Sequence, residues 1–127
     1  MSIHVNTFMR VVIENKNIEK CLKVMSKIKN ECSSIDPAKN KYNDIEEAFN
    51  TWGYDCFIEE NGNAAIGERL SEKWWNDDIL WKKIAKYVTP DSFIEFSGEE
   101  GEEWKYIFGN GKMIEYERSK EWIKKEN

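Results

Sequence analysis

At 127 residues, with 40% hydrophobic and 34% charged side chains, the chain has room for one domain around a single core and too little length for two. Its apolar runs are only a few residues long, and the start MSIHVNTFMR lacks the basic and apolar regions of a secretory signal, so the expected location is the cytoplasm. The net charge of −5 is unevenly spread: residues 1–42 carry eight Lys/Arg against four Asp/Glu, and residues 43–118 carry eight against eighteen, an acidic block that repels nucleic-acid backbones and favours a basic partner.

In chain order, Met9, Val11 and Ile13 alternate with Arg10 and Glu14, and Val12 is apolar too, which predicts a well-buried strand over 8–14. Ile18, Cys21, Leu22, Met25 and Ile28 then recur at helical spacing, predicting an amphipathic helix over 17–31 with Asn15 or Asn17 as its cap. Lysines 16, 20, 23, 27 and 29 ring that helix without arginine or interleaved aromatics, the pattern of a solvated face. The polar segment 32–42 reads as a loop. Asn43 and Glu46 have capping-box spacing for a second helix whose stripe is Ile45, Ala48, Phe49 and Trp52, with Gly53 ending it.

Segments 54–60 and 64–70 flank Asn61-Gly62, which predicts a hairpin closed by a type I′ turn. Asn76 can cap a third helix over 77–88, with Leu80, Trp81, Ile84, Ala85 and Val88 facing inward and Pro90 as its stop. Three strands follow at 92–97, 103–108 and 112–118, the last two joined by Asn110-Gly111, and the charged residues 119–127 read as a short, fraying helix. The expectation is a single domain of the α+β class: an antiparallel sheet of five to six strands with three helices on one face, related to ferredoxin-like folds. Within it, residues 1–53 supply a strand and two helices, 54–118 a hairpin, a helix and a three-stranded meander, and 119–127 a charged tail.

The chemistry-bearing residues are few. His4 is the one histidine, so a Ser-His-Asp or Cys-His arrangement would have to run through it. Cys21, Cys32 and Cys56 form neither a disulfide framework nor a zinc spacing and read as reduced thiols. Gly109-Asn110-Gly111-Lys112 is followed by Met113 and a strand, where a phosphate loop needs Ser or Thr and a helix. No catalytic residue, metal site or cofactor is therefore expected.

Glu99, Glu100, Glu102 and Glu103 form the densest surface charge, and turn geometry does not require them. Trp74 and Trp75 lie between elements, where full burial is harder, and suit interface anchors. These six residues are the expected partner-binding set. A nucleotide-binding alternative draws on Trp104 for stacking and on Arg10, Arg69 and Arg118 for phosphate, at a junction between subunits of a homo-oligomer.

Residues Ile94–Phe96, Gly98–Glu103, Trp104–Phe108 and Gly111–Lys112, a strand ending in IEF, a GE-GE loop, an aromatic strand and a GK turn, resemble the C-terminal meander of small acidic proteins from Gram-positive phages and mobile elements. The likeness extends over about residues 54–117. Proteins of that kind are often inhibitors of host defence, anti-CRISPR proteins among them. The resemblance thus implies a binding protein without enzymatic activity, acting in the host cytoplasm on a host protein with a basic surface. A toxin-neutralising immunity protein would differ from it only in its target.

Overall fold

The computed structural model describes residues 5–31, 42–70, 77–98, 101–118 and 122–124; His4, Cys32, Trp74, Trp75, Glu99 and Glu100 lie outside them. The elements run β1 Val5–Ile13, α1 Asn15–Glu31, α2 Ile45–Thr51, β2 Tyr54–Ile58, β3 Ala64–Arg69, α3 Asp77–Ile84 with a 3-10 turn at Ala85–Tyr87, β4 Phe93–Gly98, β5 Glu103–Gly109, β6 Lys112–Arg118 and β7 Trp122–Lys124. All strands join one antiparallel sheet in the order β2-β3-β1-β4-β5-β6-β7. The α+β expectation holds. The first four strands have the chain order β-α-α-β-β-α-β, that of ferredoxin-like folds with one helix more between β1 and β2, and β1 is held between β3 and β4. No described helix is long and apolar enough to cross a membrane.

The sheet has seven strands rather than five to six because residues 122–124, expected within a helix, form β7. Tyr116, Glu117 and Arg118 pair with Lys124, Ile123 and Trp122. Nine residues are too few for a stable isolated helix, whereas Trp and Ile suit a strand laid along the free edge of β6.

Period-two alternation sorts the strands onto two faces. Met9, Val11, Ile13, Ile94, Phe96, Tyr106, Phe108 and Met113 point to one side and form a continuous core with Cys21, Met25 and Ile28 of α1, Phe49 of α2 and Leu80, Trp81 and Ile84 of α3. All three helices therefore cover the same face. Trp81 sits at the middle, its ring 5.7 Å from Phe49, 5.2 Å from Tyr54 and 5.8 Å from Phe108.

Several local details differ from the sequence expectation. The cap of α2 is Asp44, not Asn43: its carboxylate accepts the Glu47 N–H at 2.8 Å, and Glu47 reaches back to accept the Asn43 N–H at 3.2 Å. This is a variant of the capping box one residue later than expected, its return bond going to the residue before the cap, and an acidic side chain at that position also complements the helix dipole. Helix α1 begins at Asn15, whose backbone N–H donates to the side-chain oxygen of Asn63 at 2.9 Å. Its cap comes from the distant β2–β3 loop.

That loop is not a two-residue I′ turn. Ile58 pairs with Ala64, Gly62 N–H donates to the Glu59 carbonyl at 2.8 Å, and Gly62 carries the positive φ of 89° while Asn61 does not. Asn63 is thereby placed against α1. The β5–β6 turn does follow the I′ expectation, with φ of 53° at Asn110 and 74° at Gly111 and Gly109 paired with Lys112.

The positive φ favours glycine at position 62, and a Cβ there would also lie 2.7 Å from the side-chain Nδ2 of Asn15, which would have to move. Gly62→Ala is expected to cost about 1–2 kcal/mol. Gly67→Ala, where a Cβ meets no atom within 4 Å, should stay within about 0.5 kcal/mol of the parent. Urea unfolding of the two variants checks the contrast.

Candidate functional site

Two places gather polar chemistry, one inside the fold and one on the sheet's open face. The inner one begins with a bulge. Asp55 pairs with Glu68, but Cys56 pairs with Ile66, so Gly67 is an extra residue in β3. Strict alternation after Ala64 and Ile66 would turn Glu68 inward. The bulge turns Arg69 inward instead.

Arg69 Nε donates to Asp77 Oδ2 at 2.9 Å, and the Tyr54 hydroxyl donates to the same oxygen at 2.6 Å. Trp81 Nε1 donates to the Tyr54 oxygen at 3.1 Å. All four side chains are buried. Burial foremost, and then the Asp77 carboxylate, pushes the Tyr54 hydroxyl well above its ordinary pKa. Its proton stays in the network, which ties β2 and β3 to the start of α3.

The outer place is the face that no described helix covers. Register lays its residues in rows: Asn6, Ser97 and Glu103; then Phe8, Glu95, Lys105 and Tyr116; then Arg10, Phe93, Ile107 and Ile114. Phe8 is 68% exposed and packs one flank on Phe93 at 5.3 Å. Phe57, also on this face by alternation, is 50% exposed. Where the first two rows meet, a recess of about 330 Å³ is lined by Asn6, Thr7, Phe8, Glu95, Phe96, Ser97 and Glu103. Its charged lining is two carboxylates. Among the described residues, no group of three or more His, Cys, Asp or Glu is placed to hold a metal ion.

The residues singled out from sequence fall as follows. Glu102 is exposed and Glu103 half-buried at the recess, on either side of the start of β5. The Glu102 carbonyl accepts the Gly98 N–H at 2.8 Å, which closes the loop. The four residues of the nucleotide alternative do not converge. Arg10 is on the open face, Arg69 is committed to Asp77 in the core, and Trp104 is on the covered face, its ring stacked 5.1 Å from Phe96. Arg118 stands opposite Trp122 at the end of β6.

Sequence reasoning did not single out Phe8 or Glu95. Each looks like an ordinary member of an alternating strand, and only the pairing of β1 with β4 and β5 assembles them. The Arg69–Asp77 pair was also missed, although an isolated glycine inside AAIGERL was a readable bulge signal. No known protein family, curated protein or solved structure matches the chain.

Asp77→Ala strands the Arg69 guanidinium and the Tyr54 hydroxyl in the core, and is expected to cost about 3–5 kcal/mol in denaturant unfolding. Cys21 and Cys56 are free and buried, and burial pushes both thiols from an ordinary 9.0 up to about 12. Both should resist iodoacetamide at pH 8 in the native protein and react once it is unfolded, as read by peptide mass spectrometry. The raised thiols, with Tyr54 and Tyr106 also raised by burial, keep their protons in the fold after the unfolded chain has lost them. Their stability contribution is therefore complete below pH 9.0 and declines as pH rises towards about 12, so the denaturation midpoint should fall across that window.

Proposed function

We propose that this protein is a non-enzymatic binding protein that inhibits a partner enzyme by occupying a basic, nucleic-acid-binding surface on it. The observation that carries the reading is the open sheet face, where an exposed aromatic ring borders a recess whose only charged lining residues are Glu95 and Glu103. Carboxylates held on a rigid sheet can take the places that phosphates would occupy, and Phe8 beside them adds apolar area to the contact. Glu102 extends the acidic edge beside the recess. The resemblance to small proteins of phages and mobile elements points to a host defence nuclease as the target, in the host cytoplasm.

The nucleotide reading has less support. It asks for an aromatic face beside an arginine or lysine, and here the recess sets aromatic rings beside carboxylates. A toxin as target would leave the same surface in use.

The test is expression in bacteria whose nuclease-based defence blocks phage plaquing or plasmid entry. Plaquing or transformation is expected to be restored by the parent and weakened by a Glu95→Gln, Glu102→Gln, Glu103→Gln triple variant of unchanged circular dichroism. With the purified target, association should slow as salt rises, because exposed charges steer the encounter and salt screens them. Intact defence across the nuclease systems tested, with the protein well expressed, would count against the proposal.

A further inference from the structure

We propose that the recess between β1, β4 and β5 is a seat for the guanidinium group of an arginine side chain presented by the protein partner. This rests on the reading above that the partner surface is basic, and it names the group recognised. Glu95 is half-buried in the recess wall and makes no hydrogen bond or ion pair with a described residue. The cation opposite it in register, Lys105 on β5, holds its ammonium 5.6 Å from the Tyr116 ring centroid on β6. A carboxylate that lines the recess without a partner is open to an incoming cationic donor.

The other walls choose among cations. Phe8 presents a flat ring that Phe93 steadies on one flank and that stays open on the rest. A planar guanidinium can stack on such a face while its N–H fork meets the Glu95 carboxylate, whereas an ammonium is a compact point charge without a stacking plane. Asn6 and Ser97 offer side-chain oxygens for the remaining N–H groups, and Glu103 closes the far wall with a second negative charge. A hard dication is a poor fit, because calcium wants six or more oxygen ligands and one wall here is a hydrocarbon ring. A volume of about 330 Å³, at the small end for ligand sites, leaves room for a guanidinium together with its methylene stem.

The experiment uses the whole protein and needs no partner. Amide ¹H–¹⁵N spectra are recorded while N-acetyl-arginine N-methylamide is added, with the matching citrulline and lysine compounds as controls. Saturable shifts at Asn6, Thr7, Phe8, Glu95, Ser97 and Glu103 are expected for the arginine compound. Citrulline, which keeps the shape and loses the charge, should bind about tenfold more weakly or worse. Lysine should fall between them. Glu95→Gln should abolish the difference between arginine and citrulline, and Phe8→Ala the difference between arginine and lysine.

Absence of saturable shifts, equal binding of arginine and citrulline, or binding unchanged by Glu95→Gln would overturn the proposal. Such a failure leaves the basic-partner reading to stand on its cell assay. Conversely, arginine binding here with no inhibition in cells would keep the seat and remove that reading.

Discussion

One carboxylate oxygen, Asp77 Oδ2, holds the positions of three elements. It receives Arg69 from β3 and Tyr54 from β2, and Tyr54 in turn receives Trp81 from α3. A buried ion pair is not in itself a source of stability, because desolvating both charges offsets most of their attraction. What it supplies here is selectivity. An alternative register of β2 on β3, or a β3 without its bulge, would put Glu68 or nothing opposite Asp77. Either arrangement leaves a charge in the core without its counterpart. The sheet's left half and the third helix are therefore fixed with respect to each other by a penalty on every other arrangement.

That placement has a consequence on the other side of the sheet. With α1, α2 and α3 all drawn onto one face around Trp81, the second face keeps its alternate residues for solvent or for a partner. Phe8, Val12, Phe93, Ile107 and Ile114 on that face form a larger apolar content than a solvated sheet needs. The charges among them are fixed by register, with Glu103, Glu95 and Lys105 towards one end and Arg10 towards the other. The backbone thus presents charges at fixed places across an apolar floor, which favours one orientation of an approaching partner.

Much of the fold was legible in the sequence because its strongest signals are local. Asn110-Gly111 needs only two residues to specify its turn, and the stripe of Cys21, Met25 and Ile28 needs only the helical period. The misreadings share a physical cause, competition between nearly equal local choices decided by distant contacts. Asn43 and Asp44 are both good caps, and Asn61-Gly62 would suit a tight turn. The loop is longer because Asn63 is needed at the start of α1. Arg69 read as a phosphate ligand because its inward turn depends on one unpaired residue, Gly67. Of the site, the acidic loop before β5 was visible as composition. The recess was not, since it is made where strands from the two ends of the chain lie side by side.

The central place of β1 in the sheet bears on how the chain acquires its structure. The strand is made before both its neighbours, β3 and β4, and Val5 finds its partner only at Gly98. Loops of this length must close before their contacts repay the lost chain entropy, which slows folding relative to a chain built from local pairs. During synthesis, β1 leaves the ribosome with both edges unpaired and waits through two helices and a hairpin. Its apolar residues, Met9, Val11 and Ile13 on one side and Phe8 and Val12 on the other, are the segment most in need of protection in that interval. Arg10, set in the middle of that run, is placed where a single charge most effectively discourages two nascent copies from pairing with each other.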